Sequence, residues 1–177
     1  VIDLLQDDPS LTPEANRLIR SAIRRSFART EAVTGLLNAN KRKVPRYKKD
    51  GDRHKVDQVQ HLCNICKDWK PGKVQVDHII PVVDTKVGFV DWNTYIRRVF
   101  CGKENLQVVC HDCHQAKTNL ERDIRNTIKY NAEIDYMVAT LETKNPADLR
   151  RLLAKYTSKT RPAAIKERAK ALRARLK

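Results

Sequence analysis

Cys63-Asn64-Ile65-Cys66, Val76-Asp77-His78-Ile79-Ile80-Pro81 and Asn105-Leu106-Gln107-Val108-Val109-Cys110-His111-Asp112-Cys113-His114, with Lys117-Thr118 just beyond, fall within residues 63 to 118 of a 177-residue chain. Two Cys-x-x-Cys pairs bracket an Asp-His pair and an Asn, and a further His follows the last Cys. Two thiolate pairs at this spacing can close a tetrahedral zinc site and suit metal better than a disulfide framework. A site made of Cys63, Cys66, Cys110 and Cys113 has no open coordination position, so its role is structural, coupling folding to metal. The bland alternative is four unrelated reduced cysteines. Either way the setting expected is reducing and intracellular. The fifth cysteine, Cys101, follows Val99-Phe100 and reads as a core or interface thiol.

Residues 74 to 83 are rich in β-branched side chains and read as a strand with Pro81 at its end. Alternation along a strand puts Asp77 and His78 on opposite faces. If both serve one site, either the strand twists or bulges there or the site wraps its edge. Residues 84 to 104 read as an insertion. Within it, Asp91 is placed to cap a short helix whose Trp92, Tyr95, Ile96, Val99 and Phe100 fill core, with Arg97 and Arg98 outward and free to reach phosphate. Residues 112 to 129 suit a helix that brings His114, Lys117 and Thr118 to one face.

Asp-His, then Asn, then Cys-x-x-Cys-His, in this order, resembles the HNH nuclease family. The family's His, Asn and His fall on His78, Asn105 and His114. The resemblance implies an α+β fold: a ββα-metal core stapled by a structural zinc, here flanked by N- and C-terminal basic helices. It implies that His78 is the general base for water, a task that suits a neutral imidazole near pH 7. Asp77 and His114 would ligate one divalent cation, Mg²⁺ or Mn²⁺, with Ni²⁺ or Zn²⁺ also compatible with the donor set. Asn105 would hold the loop and orient His78, and Lys117 would contact phosphate. Products with 5′-phosphate and 3′-hydroxyl ends are the family expectation. A Gly-rich turn follows the Pro in many family members and is missing here, where residues 84 to 104 take its place. Singly, each residue has a plainer use: His78 in a core, Asp77 in a solvated turn, Asn105 in a loop cap, His114 as a surplus zinc ligand. Their ordered combination favours the site. His111 matches nothing catalytic and reads as exposed or near DNA; His54 and His61 take no role.

The flanks are read on their own terms. Lys+Arg number 36 against 21 Asp+Glu, a net charge of +15. A polyanion, most commonly nucleic acid, is the natural partner of such a surface; a solvated basic protein or one on acidic membrane are the alternatives. No apolar run is long enough to span a bilayer, and no secretory signal is recognised. Starting at Val1 rather than Met, the chain reads as one whose natural start is missing or processed. Residues 1 to 11 read as a loosely held acidic arm. Thr12-Pro13-Glu14 is a helix start, followed by Leu18, Ile19, Ala22, Ile23 and Phe27 at helical spacing, with Arg17, Arg20, Arg24, Arg25 and Arg29 on the other face. That basic face is either solvated or near phosphates. The helix is expected to run on through Val33, Leu36 and Leu37, with Gly35 as its weak point.

Residues 39 to 60 break the apolar periodicity. Lys41, Arg42, Lys43, Arg46, Lys48 and Lys49, with Tyr47 among them and an Asp50-Gly51 turn, read as a DNA-contacting arm or a basic linker. Asn145-Pro146 starts a helix with Leu149, Leu152 and Leu153, and Pro162 starts a last one carrying Ile165, Ala169, Leu172 and Leu176. The organisation expected is therefore 1–38 N-terminal amphipathic helical region, 39–60 basic arm, 61–129 nuclease core and 130–177 basic helical extension. The function expected is a metal-dependent endonuclease acting on double-stranded DNA, of phage or homing type, inside the cell in the cytoplasm, a phage-infected host being one such setting. A zinc-stabilised DNA-binding or accessory protein of a phage DNA-processing assembly, without autonomous cleavage, is the competing class. A phage protein or a second copy of the chain is the protein partner these readings leave open, and no membrane is involved.

Overall fold

A computed structural model of the chain describes residues 7 to 139, 150 to 151, 153 to 157 and 161 to 175. It is an α+β protein in which helices accompany two small antiparallel sheets. It divides into two compact units, Leu5–Asp84 with Phe89–Thr118, and Thr85–Gly88 with Asn119–Lys177.

In the first unit, helix α1 spans Pro13–Phe27. Thr12 caps it, its hydroxyl accepting from the Ala15 N–H at 3.2 Å, and Pro13 takes the first position. The inward face is not the expected stripe. Asn16 and Phe27 are buried and Ile23 half-buried, while Leu18 and Ala22 face solvent. The rotation is explained by Asn16. Its carboxamide accepts from the Asp8 N–H at 3.0 Å and donates to the carbonyls of Asp8, Leu11 and Thr12 at 2.9, 3.3 and 3.2 Å. Residues 8 to 12 are therefore tied down rather than loose, and Arg20 pairs with Asp7. Removing one partner of a buried hydrogen-bonded group strands the others, so Asn16→Ala is expected to cost about 1–3 kcal/mol. A melting curve superimposable on the wild-type one would show that other contacts hold residues 8 to 12.

The helix does not run on. Ala28 to Thr30 interrupt it, and helix α2 spans Glu31–Ala39 with Gly35 inside it. Thr30 is the cause: its backbone is extended and its hydroxyl donates to the Phe27 carbonyl at 2.8 Å, a local bond that competes with helix continuation. Strands β1 (Lys41–Val44), β2 (Gln58–Leu62) and β3 (Trp69–Pro71) form one antiparallel sheet. The basic stretch, read from sequence as a DNA-contacting arm or basic linker, is thus built on a hairpin. The Tyr47–Arg53 bridge extends it, and the Asp50-Gly51 turn closes it, with Gly51 at φ 90°.

Strands β4 (Gln75–His78) and β5 (Leu106–Val109) make the second sheet, pairing His78 with Leu106 and Asp77 with Gln107. β4 is shorter than the run of β-branched residues suggests, because Asn105 takes over the pairing beyond His78. Its carbonyl accepts from the Ile79 N–H at 2.9 Å and its side-chain oxygen from the Ile80 N–H at 2.8 Å. Helix α3 spans Trp92–Val99, capped as expected by Asp91, which accepts from the Thr94 N–H at 2.8 Å. Tyr95 and Val99 are buried with Phe27, Val33 and Leu106 in the core of this unit, whereas Ile96 and Phe100 are exposed.

Helix α4, His111–Ala139, follows β5 at once and continues into the second unit, beyond the end expected at 129. There Ile134 and Met137 pack with Leu153, Tyr156, Ile165 and Ala169. Tyr156 Oη donates to Glu133 at 2.5 Å, and burial and that carboxylate push the Tyr156 phenol up to about 12. Helix α5, Ala163–Arg175, starts after Pro162 and buries Ile165 and Ala169, with Leu172 packed alongside. The helix start at Asn145-Pro146 with Leu149 and Leu152, and Leu176 of the last helix's stripe, lie outside the described residues.

Candidate functional site

The four cysteines converge. Cys63 follows β2, Cys66 lies in the turn after it, Cys110 follows β5 and Cys113 sits in the first turn of α4. Their sulfurs all lie within 4.8 Å of one another, close enough to hold a metal ion such as zinc. Thiolates at about 2.3 Å from one tetrahedral ion would stand about 3.8 Å apart. The surroundings of Cys63 suit thiolate. Burial opposes charge on Cys63, but N–H groups of Cys110, Cys66 and Ile65 outweigh it and hold that thiol at about 6. The Cys110 N–H reaches the Cys63 sulfur at 3.4 Å. Hydrogen bonding to Cys110, then burial, pushes Cys113 the other way, to about 12, so the metal-free cluster keeps protons that a cation would displace.

A residue that sequence reading passed over locks this cluster to the second sheet. The Asn64 N–H donates to the Val108 carbonyl at 2.7 Å and its side-chain oxygen accepts from the Val108 N–H at 2.9 Å. Asn64 thereby pairs with β5 as a further strand residue would. Nothing in Cys63-Asn64-Ile65-Cys66 announces it beyond the amide's capacity to imitate a peptide.

Asp77, His78 and Asn105 lie at the end of β4, and His114, near the start of α4, reaches back to Asp77. Both residues are held in register, Asp77 opposite Gln107 and His78 opposite Leu106, so alternation turns His78 toward Phe27 and the Val99 carbonyl while Asp77 meets His114 and Lys117. Asp77 is largely buried, its oxygens 3.9 Å from His114 Nε2 and 3.1 Å from Lys117 Nζ. Gln107, opposite it on β5, donates to the same carboxylate at 3.1 Å. The 3.9 Å gap can be spanned by two ligands of one cation bound at about 2.0–2.2 Å. His78 Nε2 lies 3.0 Å from the Val99 carbonyl oxygen. A carbonyl only accepts, so Nε2 carries the proton and, in the neutral ring, Nδ1 has the lone pair. The ring stacks at 5.1 Å on Phe27, which fixes its plane. Asn105 clamps the exit from β4 through Ile79 and Ile80, and its amide also donates to Cys101 Sγ at 3.7 Å. Gln107, Phe27 and the Val99 carbonyl were not foreseen: each is remote in sequence from the group it orients.

The basic residues separate into two groups. Lys41, Arg42 and Lys43 are exposed on β1, and Arg46, Lys48 and Lys49 on the hairpin beyond it. Arg97 is exposed on α3. Arg98, expected on the outer face with Arg97, is instead half-buried and donates to the Val82 carbonyl at 3.2 Å. Lys117 is turned inward, donating to the His78 carbonyl at 2.8 Å while it pairs with Asp77. His111 is exposed. Among the described residues no helix is long and apolar enough to cross a membrane. Compared with family models, with curated proteins and with solved structures, the chain gives no match, so its function rests on its own residues.

Proposed function

We propose that the chain is an HNH-type endonuclease that hydrolyses phosphodiester bonds of double-stranded DNA with one divalent cation, on a ββα-metal core stapled by zinc at Cys63, Cys66, Cys110 and Cys113. The observation that carries this is Asp77 beside His114, on the same strand end that bears His78 with its Nε2 committed to Val99. In this reading His78 Nδ1 takes the proton of the attacking water, and the Val99 carbonyl stabilises the imidazolium that forms. Asn105 keeps residues 79 and 80 from drifting and so keeps His78 in place. Gln107 and Lys117 orient Asp77. A cation held by Asp77 and His114, Mg²⁺ or Mn²⁺ first and Ni²⁺ as a further trial, would stabilise charge on the phosphoryl oxygens and the leaving oxygen.

The test is conversion of supercoiled plasmid to nicked circle with Mg²⁺, Mn²⁺ and Ni²⁺ in turn, on zinc-loaded protein. Nicking that depends on the added cation is expected. DNA bound but uncut with every cation would favour the binding or accessory class instead. Binding itself is expected to weaken steeply with salt, because the net charge of +15 includes the exposed cations of residues 41 to 55. Six or more phosphate contacts would lower affinity by about 10³-fold between about 50 and 200 mM salt. A flat response would remove phosphate contact from that hairpin.

A further inference from the structure

The sheet β1-β2-β3 takes no part in the chemistry just described, yet its side chains are sorted by face. Directly opposed residues of an antiparallel pair share a face, and successive residues alternate. Arg42 is opposite Gln60, Val44 opposite Gln58 and Leu62 opposite Trp69. One face therefore carries Gln58, Gln60, Arg42 and Trp69, together with Val44, Leu62 and Pro71. The other carries Lys41, Lys43, Val59, His61 and Lys70.

On the first face the polar groups form one connected row. The Arg42 guanidinium lies over the Trp69 ring, 4.2 Å from its centroid. Its Nε and Nη2 donate to Gln60 Oε1 at 3.0 and 2.8 Å. Gln60 Nε2 donates in turn to Gln58 Oε1 at 3.3 Å. Stacking holds the arginine fork in one plane before any ligand arrives. Arg42 is exposed, and the two glutamines are half-buried in the row.

Cross-strand pairs stabilise sheets, and lysines on an edge strand deter mispairing. Neither use requires an arginine fork and two carboxamides aligned on the face away from the lysines. Those groups match base edges: Arg forks onto guanine O6 and N7, and Gln onto adenine N6 and N7. The major groove of B-DNA, about 12 Å wide, admits a two-stranded ribbon; that of A-form RNA is too narrow for side chains to read. The β1–β2 hairpin is such a ribbon, lengthened by the Tyr47–Arg53 bridge and carrying exposed Arg46, Lys48 and Lys49 toward its tip. Its base is anchored to the site. Cys63 continues β2, and Asn64 pairs with Val108 of the strand that faces Asp77 and His78.

We propose that the Arg42–Gln60–Gln58 face of this sheet enters the major groove of duplex DNA and gives the protein a base preference at a fixed offset from the phosphate presented to Asp77, His78 and His114. The proposal rests on the duplex-DNA reading above. The lysines of the opposite face contribute charge, not selection.

The test is selection from a random-sequence duplex library by the zinc-loaded full chain, with no catalytic cation added. Wild type is compared with Arg42→Lys, Gln60→Ala and, as a charge control, Lys43→Ala. Wild type should enrich defined bases at adjacent positions. Arg42→Lys keeps the charge but loses the fork, and Gln60→Ala loses the carboxamide. Each should relax preference at its own position by roughly 5- to 150-fold with affinity for unselected DNA retained. Lys43→Ala should weaken all sequences alike and lower the salt slope by about one. Zinc content and melting temperature, measured on each variant, separate loss of reading from loss of fold. The proposal is overturned if wild type binds all sequences alike, or if folded Arg42→Lys and Gln60→Ala keep the wild-type preference. Absence of any duplex binding would defeat the DNA reading itself, which is a distinct result from binding without preference.

Discussion

His78→Ala is expected to lower cation-dependent plasmid nicking by about 10²–10⁴-fold, the usual span for a positioned general base, while DNA binding and zinc content stay at wild-type levels. The ring reaches neither the four cysteines nor the basic hairpin: its partners are the Val99 carbonyl and Phe27. Loss of the stack on Phe27 will cost some stability, so melting must be measured beside the rate. A folded variant that nicks at the wild-type rate would mean that some other group takes the proton, and the role assigned to His78 would fall. A variant that loses nicking and zinc together would make the ring structural instead.

Replacing Cys110 or Cys66 by Ser should have the larger effect on the fold. In small zinc domains the metal contributes about 10–16 kcal/mol. Loss of even about 4 kcal/mol lowers melting by roughly 8–16 °C in a chain of this size. Cys110 is buried and Cys66 exposed, so equal loss of zinc from both would point to the metal and not to packing of one side chain. The cluster joins β2 to the start of α4, and Asn64 joins the same turn to β5. Its loss should therefore separate the basic sheet from the hairpin of Asp77 and His78, and nicking should fall with folding. Full zinc content and unchanged melting in both variants would show that these cysteines do not hold a structural zinc.

Several elements were legible because the chemistry that makes them is local. Thr12-Pro13, Asp91 and Pro162 each open a helix with groups a few residues away, and Asp50-Gly51 turns on the backbone freedom of one residue. The inward face of α1 was not legible. It depends on Asn16, a polar residue whose burial follows only from the four bonds it makes to residues 8 to 12. Nor was β1. A run of Lys-Arg-Lys carries little strand signal, and it forms because β2 pairs with it. Arg98 looked free for the same reason: the Val82 carbonyl that it meets belongs to another segment.

By itself, then, the order of residues determined the mixed helix-and-sheet class, the helix starts and the two cysteine pairs, since caps, turns and metal-type spacing act over a few neighbours. Tertiary structure decided where β4 stops, which helix face is inward, which ring nitrogen of His78 is engaged, and that Arg42, Gln60 and Gln58 share a face. Those outcomes depend on partners distant in sequence: the Asn105 carbonyl and side chain, the Val99 carbonyl, the register of β1 on β2. A pairing register moves every side chain of a strand together. No inspection of the strand alone reveals it.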